Sequence, residues 1–273
     1  MIHFNVPPFV GTEFKYMHEA VENHKICGDG PFTKKCDEWL ENRFKARRVM
    51  LTTSGSTALD MAALLCGIKP GDEVILPDPG YVSYAPCITF AGGNCVPVKT
   101  EMATGFKITP EALKQAITPR TKALILPYPN NPTGGVMSLA DYQAIADVLK
   151  DSDIFVIHDE IYAELTYGDA RHVSFAAVPG MWERTITLNG FSKAFAMTGW
   201  RLGYACGPRE ILQLMCRIHQ YTMLCAPIPS QYAGIEALKT GFDTDFDDVR
   251  RMVDAYDRRR RLLVEGFREA GLP

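Results

Sequence analysis

Ala123–Ile157, reading ALILPYPNNPTGGVMSLADYQAIADVLKDSDIFVI, decides the fold class. Ala123–Leu126 is an unbroken apolar run of strand length, Leu139–Leu149 reads as a helix, and Ile154–Ile157 is a second apolar run. Strands without polar alternation are buried on both faces, which points to a parallel sheet covered by helices. The connecting Pro127–Gly134 is a turn dense in proline that aims Asn131 back at the sheet edge, although an ordinary turn explains the same composition.

The pattern repeats on either side. Upstream lie helices over Thr12–His24 and Phe32–Phe44, the second with Phe32, Cys36, Trp39, Leu40 and Phe44 on one face. A short strand Val49–Thr52 and helix Ser56–Leu65 follow. Strand Val74–Leu76, helix Val82–Phe90, strand Cys95–Val98 and helix Pro110–Ile117 then lead into the central unit. Downstream, Thr185–Leu188 is β-like, after which helices are expected over Arg209–Gln220, Ser230–Lys239 and Asp245–Ala270. Arg258–Arg261 belongs on the solvated face of that last helix. The expectation is an α/β fold with a mostly parallel sheet between helices, whose ligands collect at the carboxyl ends of the strands.

With 273 residues, 47% hydrophobic and 22% charged, the chain can bury a large core. A net charge of -3 gives no electrostatic reason to expect nucleic acid or an anionic membrane as partner. The eight cysteines form no C-x-x-C pair and sit mostly in apolar runs, as reduced thiols of the cytosol do. The start lacks the basic and apolar segments of a signal peptide, and no run is long enough to span a bilayer. A soluble, cytoplasmic protein that works on small molecules is expected.

The strand ends carry the chemistry. Asn189–Tyr204, NGFSKAFAMTGWRLGY, sets Lys193 at the mouth of a buried strand, where an amine can form a Schiff base with an aldehyde. Arg201 can fork onto a phosphate. After Val49–Thr52, Gly55 allows close backbone approach, and Ser54 or Ser56 can cap a helix whose free N–H groups bind phosphate; a simple cap is the alternative. Asp159 ends the strand Ile154–Ile157 region. A buried carboxylate there is costly unless a cation such as a pyridinium nitrogen meets it, the alternative being a helix N-cap. His158 reads as a satisfied strand histidine, and no metal site is expected because no second His or Cys cluster lies nearby.

In order, SGST (54–57), DPGYVSY (78–84), NNPTG (130–134), DEIY (159–162) and NGFSKAFAMTGWRLGY resemble the class I/II aminotransferases, enzymes of pyridoxal phosphate (PLP) fold type I. The resemblance implies PLP as cofactor, with Lys193 bonding its aldehyde and moving the proton at the substrate Cα. It implies that Asp159 pairs with the pyridine nitrogen, that Asn131 and Tyr162 bond the ring oxygen, and that Tyr81 stacks on the ring. Gly55, Ser56, Ser192 and Arg201 would form the phosphate cup. Lys193, Asp159 and Tyr162 are the implied catalytic residues. Amino acids and 2-oxo acids are the implied substrates, and a homodimer the implied assembly.

The beginning, including FNVPPFVGTEF (4–14) and GDGPFTKKCDEWLENRF (28–44), resembles instead the nucleotide-sugar aminotransferases of the same fold, with a seam expected in Ala58–Pro77. Class I chains continue past a segment like Glu265–Pro273 into a small domain whose arginine grips the substrate carboxylate. The expected division is an N-terminal arm with helices over 1–45, a large PLP-binding domain over 46–240, and the start of an incomplete second domain over 241–273. Three further functional readings stay open: a PLP-binding but catalytically impaired protein, a nucleotide-keto-sugar aminotransferase, and a serine hydrolase. The last rests on Gly190–Ala194, one residue away from a G-x-S-x-G elbow around Ser192.

Overall fold

The computed structural model describes residues 11, 13–23, 31–53, 58, 62 and 68–272. Seven strands form one sheet: β1 (Val49–Thr52), β2 (Glu73–Asp78), β3 (Asn94–Lys99), β4 (Thr121–Leu126), β5 (Phe155–Asp159), β6 (Thr185–Gly190) and β7 (Gly203–Cys206). The spatial order is β1-β7-β6-β5-β4-β2-β3. Pairs from β3 through β6 are parallel, whereas β7 runs antiparallel to both β6 and β1. The expected mostly parallel sheet is therefore present, with one reversed strand near its edge.

That reversed strand corrects the sequence reading, in which the chain was expected to turn helical after Lys193. Gly203–Cys206 is a strand, buried at all four positions. Its four residues are flanked by β1 and β6 and covered on both faces, so they show no polar alternation to reveal a strand.

Helices cover the sheet because their apolar sides match its two faces. The α-helices with both ends among the described residues are α1 (Glu13–Glu22), α2 (Pro31–Phe44), α3 (Tyr84–Phe90), α4 (Pro110–Ala116), α5 (Leu139–Leu149), α6 (Phe191–Ala194), α7 (Arg209–Thr222), α8 (Ile228–Asp243) and α9 (Asp247–Glu269). On one face Val74, Ile125, Ile157 and Leu188 pack with Ile88 of α3 and with Leu212 and Met215 of α7. On the other, Leu124 and Val156 pack with Leu113 of α4 and with Tyr142, Ile145 and Leu149 of α5. A third cluster joins Cys36 and Leu40 of α2 to Leu51, Phe191, Leu202 and Leu238. Phe44, expected on the apolar face of α2, is 48% exposed and stacks on Tyr204 with centroids 5.9 Å apart.

Local chemistry fixes where α5 starts, directly after the NNPTG loop. Ser138 Oγ accepts from the Asp141 backbone N–H, and the Asp141 carboxylate accepts from the Ser138 N–H, closing a reciprocal cap. Arg258–Arg261 are exposed, as expected, and Arg260 and Arg261 lie 2.6 and 2.7 Å from the Asp257 carboxylate. The helix expected over Ser56–Leu65 falls almost entirely outside the described residues. Among the described residues no helix is long and apolar enough to cross a membrane.

Candidate active site

Three parallel strands deliver their C-terminal ends to one place. β4 runs into Pro127–Gly134, β5 ends on Asp159, and β6 ends on Gly190 and leads into α6. β7 then returns beside β6 in the register Asn189↔Tyr204 and Gly190↔Gly203. The motif 189–204 is thus a loop closed by antiparallel pairing at both ends, which brings Lys193 and Arg201 back to the same site.

Gly190 is required by this closure. A Cβ there would lie 3.0 Å from both the Gly203 Cα and the Leu202 carbonyl oxygen. Inside the loop Thr198 Oγ1 donates to the Ser192 carbonyl at 3.0 Å. Arg201 sits in the left-handed region, φ 55° and ψ 55°, and its guanidinium donates to the Thr198 carbonyl at 3.2 Å. The left-handed region is uncommon for a non-glycine residue, and the turn holds Arg201 there.

The resulting cavity, about 270 Å³, is lined by Tyr81, Asn131, Asp159, Tyr162, Ser192, Lys193 and Arg201. Seven of the nine residues singled out from sequence therefore share one wall; the other two, Gly55 and Ser56, lie outside the described residues. Lys193 Nζ stands 5.5 Å from the centroid of the Tyr162 ring. Asn131 Nδ2 donates to the Tyr162 hydroxyl at 3.5 Å, the outer limit of a hydrogen bond. The cavity also contains Tyr84, which sequence reasoning did not single out although it closes the DPGYVSY motif.

Asp159 is half-buried and is held from two directions. Its Oδ2 accepts from the Tyr84 hydroxyl at 2.9 Å and its Oδ1 from the Ile161 N–H at 3.1 Å. No helix follows it, so its side chain organises a turn and is not a helix cap. Burial raises its carboxyl above the ordinary range, opposed by these two donors.

Strand alternation sends its neighbour to the opposite face. His158 is fully buried, with Nε2 3.0 Å from the Tyr142 hydroxyl and Nδ1 2.7 Å from the Glu160 carboxylate and 3.1 Å from the Phe175 backbone nitrogen, so it is the satisfied strand histidine expected. Glu160 lies 2.7 Å from His158 and 2.9 Å from His172. Burial alone would raise its carboxyl, but the two imidazoles hold it well below the usual range.

A larger cavity of about 590 Å³ lies across Ala194–Met197 from the first, between α8 and the start of α9. Its lining is mostly apolar and includes neither Lys193 nor Asp159, so the residues singled out from sequence line the smaller one. No histidine lines that smaller cavity, which leaves Ser192 without the base a serine hydrolase needs among the described residues. Nor do the described residues gather three His, Cys, Asp or Glu side chains where a metal could be held.

Residues 17–273 match the family model for aminotransferase class I and II. The chain belongs to this family. It is 45% identical over 244 residues to a putative aminotransferase, YugH, of Bacillus subtilis, covering 88% of this chain and 62% of that protein. The aspartate/prephenate aminotransferase of Cereibacter sphaeroides is 40% identical over 274 residues, 98% of this chain and 68% of its own length. Among solved structures, an aromatic aminotransferase from Pyrococcus horikoshii superposes with a TM-score of 0.89 at 38% identity, over 98% of this chain and 74% of that one. The chain spans between 44% and 68% of the length of the curated relatives it matches.

The family match spans residues 17–273, the expected seam at 58–77 included, and the nucleotide-sugar likeness of the beginning has no counterpart among these matches. Class I and II aminotransferases depend on PLP. The residues present suit that cofactor. The cavity offers an amine, a guanidinium and a carboxylate whose burial is unfavourable until a cation faces it.

Proposed function

We propose that the protein is a PLP-dependent transaminase exchanging an amino group between an amino acid and a 2-oxo acid. The observation that supports this reading best is the convergence of Lys193, Asp159, Tyr162 and Arg201 on one cavity at the C-terminal ends of β4, β5 and β6. When bound, PLP supplies an aldehyde that bonds nitrogen and a ring that withdraws electrons from the neighbouring carbon.

Each residue then has a defined task. Lys193 Nζ would hold the aldehyde, and once a substrate amine takes its place there the freed amine would move the proton at the substrate Cα. Asp159 would favour a protonated ring nitrogen by presenting a negative charge. The Asn131 amide and Tyr162 hydroxyl would hold the ring oxygen, and the Tyr81 ring would lie against the ring. Ser192 and Arg201 would take the phosphate, with Gly55 and Ser56 the further residues proposed for it.

The substrates in this proposal are acidic or aromatic amino acids with their 2-oxo acids, supported by relatives named for aspartate, prephenate and aromatic amino acids. A homodimer, a cytoplasmic location and the division at residues 45 and 240 belong to the same proposal. The location is supported by the described cysteines, all of which are free thiols.

Borohydride treatment of the PLP-loaded protein, followed by peptide mapping, tests the site. The expected mark is on Lys193 alone; a Lys193→Ala variant that still takes up the mark overturns the assignment. A panel of amino donors with the cofactor absorption followed in each case tests transamination itself, and a loaded protein that responds to no donor would leave a binding protein in its place.

A further inference from the structure

We propose that Tyr84 is the positioning residue for Asp159, fixing the direction in which that carboxylate faces the cavity. The inference rests on the PLP reading above and extends it to a side chain outside the set that would touch the cofactor's reacting atoms. It starts from the two hydrogen bonds on Asp159. The Ile161 N–H, two residues along the chain, binds Oδ1 as part of the local turn. The Tyr84 hydroxyl binds Oδ2 from 75 residues away in sequence.

Tyr84 is the less movable partner of that pair. It is 4% exposed, belongs to the core cluster with Ile88, Ile157 and Leu188, and meets the Tyr81 ring edge-to-face with centroids 5.6 Å apart. The chain leading into it is constrained as well, since a Cβ on Gly80 would lie 2.7 Å from the Pro77 carbonyl oxygen. Asp159, by contrast, ends its strand at the mouth of the cavity. The carboxylate therefore takes its orientation from the phenol. Two donors on two different oxygens leave little freedom about the Cβ–Cγ bond, which is the torsion that aims the carboxylate.

The phenol is suited to act only as a donor. Burial, then the adjacent Asp159 charge, push it well above the ordinary tyrosine range, which favours the protonated phenol. The other charged or titratable groups around the carboxylate are Lys193, Arg201, Tyr81 and Tyr162 lining the same cavity, with His158 and Glu160 as its chain neighbours.

Tyr84→Phe removes one oxygen and keeps the ring, so near-ultraviolet circular dichroism should remain that of the parent. In cofactor-free protein carrying carbon-13-labelled aspartate, the Asp159 carboxyl is expected to titrate about one pH unit higher in the variant, as loss of one charge-assisted hydrogen bond implies. An unaltered titration overturns the proposal whether or not PLP binds. In the loaded protein, Tyr84→Phe is expected to weaken PLP binding about tenfold, and to have no such effect when Asp159→Asn is already present. A tenfold loss that persists in the Asp159→Asn background would make Tyr84 a packing residue only. Absence of PLP binding by the parent protein would refute the cofactor reading, while the carboxyl titration would still decide the role of Tyr84.

Discussion

A Cβ on Gly190 would stand 3.0 Å from the Cα of Gly203, so the strands carrying the two ends of the Lys193–Arg201 loop touch backbone to backbone. Gly190 is extended, with φ near 180°, and its need for glycine is one of space, not of conformation. Gly190→Ala is expected to cost about 2 kcal/mol through overpacking. It should also weaken PLP binding, because separating β6 from β7 moves Lys193 relative to Arg201. Chemical denaturation and a PLP titration measure the two effects; a variant with parental values for both would show that the contact is dispensable.

The cap of α5 provides a contrast, since it stabilises the fold without facing the cavity. Ser138→Ala removes the side chain that accepts from the Asp141 N–H. The expected loss is about 1 kcal/mol of stability. PLP affinity should be unchanged, and a drop in affinity would mean that the NNPTG loop depends on the helix start more than its own bonds suggest.

Glu160 gives the fold a pH dependence of defined sign. Its folded carboxyl is held below the ordinary range by His158 and His172, so the stability it contributes is present above the unfolded carboxylate range and is lost as pH falls through its folded value. Glu160→Gln should destabilise by about 3 kcal/mol at neutral pH, because the buried His158 and the partly buried His172 lose their charged partner. It should also flatten the acid side of the stability profile. Urea midpoints measured across the acid range test this, and parallel profiles for parent and variant would contradict it.

The parallel half of the fold and most of the site were legible because both are local in sequence. Ala123–Leu126 is a pure apolar run, and Asp159 and Lys193 each sit where such a run ends, so one pattern located both the strands and the candidate residues at their ends. β7 was hidden since four residues buried on both faces show no period, and only its pairing with β6 and β1 identifies it as a strand. Tyr84 was missed for a different reason. Its partner is 75 residues away, and nothing in DPGYVSY states that the last tyrosine turns inward while Tyr81 remains 37% exposed. The separation of His158 from Asp159 onto opposite faces follows from strand alternation alone. The ties from His158 to Tyr142 and Phe175 require the α5 side of the core to be in place.

On the proposed reading, Asp159 places stability and chemistry in opposition. Burial raises its carboxyl in the cofactor-free protein, so folding an ionised Asp159 is unfavourable, and the penalty grows as pH rises through the folded value and vanishes below the unfolded one. Asp159→Asn removes the buried charge while keeping an oxygen that can accept from Tyr84 or Ile161. The cofactor-free variant is therefore expected to melt at a higher temperature than the parent near neutral pH, with the difference closing in acid. On the proposed reading the same substitution would deprive the ring nitrogen of its counter-charge, and the transamination rate should fall on the order of 10²-fold. Calorimetry on both proteins without PLP, together with single-turnover rates with it, separates the two effects. A variant that is slower but no more stable would mean that Tyr84 and Ile161 already offset the burial of the charge. One that is more stable and equally fast would remove Asp159 from the chemistry.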